Sequence, residues 1–363
     1  MPHPSYSSRL ILLAVAVAMI LAGSMLSHAD SVHIESTKIT LQQGGSFAVT
    51  VVHIPLTSGE FIPKLVNAKS GVGRTEPFQS MLARTHAVCG INGSFFDAYN
   101  VSGDKDPGMT LITGGEIVHK GGTGSVCGFT AQGEAVFGKL DLAIRGTVAA
   151  PGRRPKPWYA YWLNRTPTSP DNIVVCTPAR GTHARVPDGI SVVVKNGAVV
   201  RVVPGDTAIP ETGFVINFRG DSAPQAANFP LGAVVTFSVI RKPDNDDLRW
   251  QQVVEAVGAG PLLVRDGQYV NNPESEGFTS PKILSAAGRR CAIGINRKGD
   301  ALLLCTSGAT VAQVGRIMLK LGAVQALNLD GGASSGLFAS GRMLCEPGRE
   351  LSNALVFVHK GQR

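Results

Sequence analysis

The stretch Ala326-Leu327-Asn328-Leu329-Asp330-Gly331-Gly332-Ala333-Ser334-Ser335-Gly336 decides how this chain is read. Leu327 and Leu329 alternate with Asn328 and Asp330, so in an extended strand the amide and the carboxylate project from one face. The glycines and small residues that follow permit positive φ and let a ligand approach backbone N–H groups closely. A carboxylate beside such donors suits an anionic or sugar-like ligand. Taken alone, the segment also reads as a Gly-rich turn in which Asp330 bonds its own loop.

A second copy of the pattern shifts the balance. Ala87-Val88-Cys89-Gly90-Ile91-Asn92-Gly93-Ser94-Phe95-Phe96-Asp97 is again an apolar strand that ends in a polar residue, followed by Gly and a small residue. Two such strand ends can converge. Together with Gly258-Ala259-Gly260-Pro261-Leu262-Leu263-Val264-Arg265-Asp266-Gly267, Arg290-Cys291-Ala292-Ile293-Gly294-Ile295 and Ser352-Asn353-Ala354-Leu355, these segments resemble the phosphodiester glycosidase family. They fall in the family's order, from about residue 31 to 360. Two departures stand out: Ser94 where the family usually has a second Gly, and Ala333 where it usually has a third.

The resemblance implies hydrolysis of a sugar-1-phosphodiester to free sugar and a phosphomonoester. Ordinary glycoside cleavage uses two carboxyl groups. A phosphate leaving group departs as a stable anion and needs charge stabilisation more than protonation. Asp330 is therefore assigned the carboxylate role at the anomeric carbon. Phosphate binding is assigned to Arg290, whose planar fork fits it, and to the small-residue backbone of Gly331, Gly332, Ser334 and Ser335, with Gly93 on the second copy. Asn92 and Asn328 hold sugar hydroxyls or orient Asp330, and Asp97 is a weaker candidate outside the shared motif. The second reading is a non-catalytic module on the same fold that binds envelope glycan or anionic polymer, Ser94 and Ala333 marking a drifted site.

Working outward, Thr310 with Gln313 is a capping-box start, and Val311, Val314, Ile317, Met318 and Leu321 recur at helical spacing before Gly322. This helix delivers the chain into the Ala326 strand and is placed to buttress it. Pro77 to Arg84 fits a short helix leading into the Asn92 strand. Elsewhere strands dominate: Phe47 to Val52, Ile190 to Val194, Val199 to Val203, Phe214 to Phe218 and Ala233 to Ile240, with Gly114-Gly115 and Asn196-Gly197 as hairpin turns. The class is α+β, a mostly antiparallel sheet with a few helices. No long Pro/Gly/Ser linker divides it, so residues 30–363 read as one domain. The aromatic run Trp158-Tyr159-Ala160-Tyr161-Trp162 reads as core packing ahead of sugar stacking.

Residues 1–29 read as a cleaved signal peptide: Arg9, an apolar run from Leu10 to Ala22, and Ser27-His28-Ala29 at the cleavage site. The protein is then exported, periplasmic or secreted, with no stable membrane insertion after cleavage. The chain has 363 residues, 44% of them apolar, and a net charge of +8. That charge fits anionic envelope polymers, and no nucleic-acid signature accompanies it. Six cysteines, an even number, suggest disulfides in an oxidising compartment. Cys291 and Cys305 flank a turn at Arg297-Lys298-Gly299-Asp300 and are the expected pair, given the right register and Cβ separation. P-loop, zincin and nucleophile-elbow motifs are missing. Asn328, Asp330 and Asp97 have oxygens that suit Ca²⁺, but no EF-hand spacing is present, and neither a metal nor a cofactor is expected. His86, His119 and His183 read as structural or surface residues.

Overall fold

The computed structural model describes residues 31–42, 44–100, 103–243 and 247–361; the signal-peptide reading lies outside them. Among these residues the strands form three sheets. A seven-stranded sheet runs in the order His33–Leu41, Gly45–Ile54, Ala301–Ala309, Gly288–Asn296, Ala323–Asn328, Leu262–Arg265 and Gln268–Tyr269, every neighbouring pair antiparallel. A five-stranded antiparallel sheet places Cys89–Asn92 between Leu337–Ala339 and Asn353–His359. The third sheet has twelve strands and carries Leu111–Thr113, Ser125–Thr130 and Asn172–Cys176; its pairing of Trp162–Leu163 with Asn172–Cys176 is parallel.

Side-chain alternation sorts the strands into layers. Ile293, Leu303, Leu327 and Leu329 face the five-stranded sheet and pack with Ile91, Leu337, Leu355 and Phe357. Ala292, Leu302, Leu304 and Ala326 face the other way and are covered by Val311, Val314, Ile317 and Met318 of the helix Val311–Lys320. On the outer face of the five-stranded sheet, Phe78, Met81 and Leu82 of the helix Phe78–Arg84 pack on Val66, Val356 and Val358. The order is helix, sheet, sheet, helix, with the twelve-stranded sheet joined through Leu111, Cys127, Phe129 and Val257.

Local chemistry explains the element ends. Gln313 N–H donates to Thr310 Oγ1 at 3.2 Å and Thr310 N–H to Gln313 Oε1 at 2.8 Å, the reciprocal box that satisfies two orphan donors. Asn196 and Gly197 have φ of 51° and 78°, as the primed hairpin turn requires. Trp158 is buried against Phe229 and Phe237, whereas Tyr159 and Tyr161 turn outward and meet edge-on at 5.4 Å. The aromatic run is thus core at its inward positions and surface at the others.

The expected disulfides are not formed: Cys89, Cys127, Cys176, Cys291, Cys305 and Cys345 are all free thiols. Cys291 and Cys305 do stand directly opposite across antiparallel strands. Directly opposed residues hold their Cβ atoms roughly 4.5–5.5 Å apart, beyond the ~3.8 Å typical of a disulfide. Cys89, Cys127, Cys176, Cys291 and Cys305 are buried and pack as small apolar side chains.

Candidate functional site

The two motif strands meet where they end. Asn92 Nδ2 donates to the Asp330 carbonyl at 2.7 Å, and its Oδ1 accepts from Gly336 N–H at 3.0 Å. Asp330 N–H donates to the Gly93 carbonyl at 3.1 Å. Asn92 therefore brackets both ends of the Asp330–Gly336 loop, and its polar atoms are spent on backbone. Gly93 cannot carry a side chain, because a Cβ there would lie 2.0 Å from Asn353 Oδ1, which accepts from Ser94 N–H at 2.9 Å. Asn328 is fully buried; its Nδ2 donates to the Gly260 carbonyl at 2.8 Å and fixes the neighbouring turn.

Beyond the strand end lies a cavity of about 460 Å³, lined by Asp330, Gly331, Gly332, Ala333 and Ser334 on one side. Phe95, Phe96, Tyr99, Phe278 and Ile283 form an aromatic and apolar wall, and Lys282, Arg289, Arg290 and Arg349 add cations. Of the predicted site residues, Asp330, Arg290, Gly331, Gly332 and Ser334 line this cavity, while Asn92, Gly93, Asn328 and Ser335 stand behind it, and Asp97 lies outside. Asp330 is the single carboxylate among the lining residues. Burial pushes its pKa up to about 6 against the opposing pull of the Ser334 hydroxyl, the Gly331 N–H, Arg349 and Arg290. Its Oδ1 accepts from Gly331 N–H at 2.8 Å.

Arg290 is 7% exposed, and most of its fork is already bonded. Nε donates to the Ala309 carbonyl at 3.2 Å, and Nη2 donates to those of Lys282 and Ala286, each at 2.6 Å. Nη1 faces the site: it lies 3.3 Å from where a Cβ on Gly331 would sit. The guanidinium thus ties the short helix Pro281–Leu284 to the central sheet and turns one edge toward Asp330.

The aromatic wall hangs on a loop held from behind. Gly108 N–H donates to the Phe95 carbonyl at 2.6 Å and Asp97 N–H to that of Asp106 at 3.1 Å. Fully buried Arg180 grips the loop through Asp104 at 2.7 Å and Asp106 at 3.1 Å, anchoring it to the twelve-stranded sheet. Sequence reasoning missed Tyr99, Phe278, Lys282 and Arg349. Arg349 stands three residues before the Ser352-Asn353 motif, which offered a signal; Tyr99 and Lys282 lie in turn-rich segments that offered none.

Comparison with known proteins bears on this arrangement. Residues 188–358 match the phosphodiester glycosidase family. The matched segment, just under half of the chain, carries Arg290, Asp330 and Arg349. No curated protein sequence matches the chain. Among solved structures, a hypothetical protein from Synechocystis superposes with a TM-score of 0.81 at 24% identity, covering 92% of this chain; the chain spans 63% of that protein's length. The structure named "Putative exported protein" from Burkholderia pseudomallei K96243 gives 0.73 at 22% identity, over 96% of this chain and 80% of that one. The zebrafish N-acetylglucosamine-1-phosphodiester α-N-acetylglucosaminidase catalytic domain, auto-inhibited by its pro-peptide, gives 0.50 at 13% identity, over 92% and 85%. These three establish a shared fold. Among the described residues, no helix is long and apolar enough to cross a membrane.

Proposed function

We propose that the protein is an exported phosphodiester glycosidase that hydrolyses a sugar-1-phosphodiester to free sugar and a phosphomonoester. The observation that carries this reading is a cavity with one carboxylate, Asp330, facing several cations. A pair of carboxylates would be needed to protonate a poor leaving group. A phosphate ester leaves as an anion, so one carboxylate and an electropositive wall suffice.

In this reading Asp330, ionised above pH 6, supplies the carboxylate at the anomeric carbon. The sugar ring stacks along Phe95, Phe96 and Phe278. The phosphate lies toward the Gly331–Ser335 backbone and the free edge of Arg290. Asn92 and Asn328 act as positioning residues, the first on the Asp330 loop and the second on the turn beside it. The helix Val311–Lys320 buttresses the strand that ends at Asn328. The C1–O bond to phosphate breaks, a new C1–O bond forms to a water oxygen, the proton that water sheds passes to solvent, and the phosphomonoester departs. Export rests on the N-terminal sequence, whose Arg9, apolar run and Ser27-His28-Ala29 have the signal-peptide order.

The test is incubation of the mature protein with a panel of synthetic sugar-1-phosphodiesters. Release of free sugar with an equal amount of phosphomonoester supports the reading. Binding without release across the panel contradicts it and favours an envelope-binding module.

A further inference from the structure

Tyr99 is 71% exposed at the mouth of the cavity, an unusual place for a large aromatic side chain. Two cations hold it there. Lys282 Nζ lies 5.1 Å from the ring centroid and Arg349 Cζ 4.9 Å from it, and Arg349 Nη2 donates to the phenol oxygen at 3.2 Å. Among the described residues neither cation lies within salt-bridge distance of a carboxylate. Both positive groups thus converge on one ring, each about 5 Å from its centroid, with no carboxylate between them.

Such convergence is costly without an anion, because like charges repel and each cation gains only a weak interaction from the ring. The backbone enforces it. Arg290 grips the Lys282 carbonyl and so fixes the segment that presents the Lys282 side chain. Arg349 is half-buried beside the Asp330 loop, near enough to Asp330 to oppose the upward shift of its pKa. An anion bridging Lys282 and Arg349 would therefore lie next to Asp330, on the open side of the cavity.

We propose that Lys282 and Arg349 form the clamp for the substrate's phosphoryl group, and that Tyr99 is a displaceable placeholder that keeps the two cations apart and partly neutralised until phosphate enters. This deepens the glycosidase reading and rests on it for the identity of the phosphoryl donor. It divides labour among the cations: Arg290, bonded to three carbonyls, braces the clamp and offers its one free edge to the phosphate, and Lys282 and Arg349 make the further contacts that strengthen as the leaving group gains charge. The Tyr99 phenol already responds to this field. The Arg349 hydrogen bond, and then the Lys282 charge, hold its pKa below the ordinary value.

The experiment uses the full folded chain with inorganic phosphate as probe, affinity being read by calorimetry and melting temperature serving as a folding check. Lys282→Met and Arg349→Gln should each weaken phosphate binding at least about tenfold, as loss of a charge-assisted hydrogen bond implies. Tyr99→Leu should tighten it about three- to tenfold, because two cation–π contacts no longer compete. Phosphate that fails to bind wild type, or binds both cation variants as tightly as wild type, overturns the clamp. Weaker binding by Tyr99→Leu overturns the placeholder role and makes the ring part of the binding surface. These outcomes stand apart from turnover: a wild type that binds phosphate through Lys282 and Arg349 but hydrolyses no sugar-1-phosphodiester would sink the glycosidase reading and leave the anion clamp intact.

Discussion

Arg290 Nη2 lies 2.6 Å from the backbone carbonyl oxygen of Lys282, so a side chain of the central sheet carries the segment that presents a second cation to the cavity. Arg290→Lys keeps the charge but cannot make the three carbonyl bonds at once. The expected outcome is a melting-temperature loss equivalent to about 1.5–3 kcal/mol, together with a raised KM for a sugar-1-phosphodiester. Lys282→Met should raise KM without that loss of stability, because the Lys282 side chain is exposed. Thermal unfolding and steady-state kinetics on the two variants check the contrast.

Asn92→Ala removes both clasps on the Asp330–Gly336 loop. It leaves the Gly336 N–H and the Asp330 carbonyl unpaired in a buried place, which costs about 1–3 kcal/mol per group. Turnover should fall through a misplaced Asp330 carboxylate. Urea unfolding gives the first quantity and kcat the second; an unchanged midpoint would show that the clasps carry no weight.

The pH behaviour follows from Asp330, whose pKa in the fold is about 6. The group works as a carboxylate, so kcat/KM should rise as pH increases through about 6 and level off above it. Stability runs the other way. A carboxyl whose folded pKa is raised contributes stability below its unfolded pKa of ~3.9, and that contribution is lost as pH rises through the folded value. Asp330→Asn should therefore raise the melting temperature at pH 8, on the order of 1 kcal/mol, and have little effect at pH 4. Circular-dichroism melts at the two pH values decide it.

Six free thiols make a simple expectation. The protein denatured without reductant should titrate six thiols with a disulfide reagent, and reductant should leave its melting temperature unchanged.

Much of the fold was legible because its signals are local. The Thr310/Gln313 box, the Asn196-Gly197 turn and the apolar alternation around Asn92 and Asp330 each depend on residues within a few positions of one another. The apolar alternation of the strand that ends at Asn328 was readable from period two alone. What that period could not show is how far each side chain reaches. Asn328 spends its amide on Gly260, Asn92 spends both polar atoms on the Asp330 loop, and Arg290 spends three donors on carbonyls. Those partners lie 4 to 244 residues away, and no spacing rule encodes them. Tyr99 and Lys282 were invisible for the same reason: 183 positions separate them in sequence, and the Arg180 anchor and the Arg290 brace that hold their segments are tertiary contacts. The cysteine parity misled because an even count says nothing of Cβ separation.

The most direct test of the central claim is turnover by Asp330→Asn on a sugar-1-phosphodiester that wild type cleaves, measured at pH 7 as free sugar released. The amide keeps the size of the carboxylate and can accept from the Gly331 N–H, but it has neither charge nor basicity for the anomeric carbon. The account predicts a folded protein whose kcat falls by at least about two orders of magnitude. Full turnover by Asp330→Asn would contradict it, and would make Asp330 a loop residue.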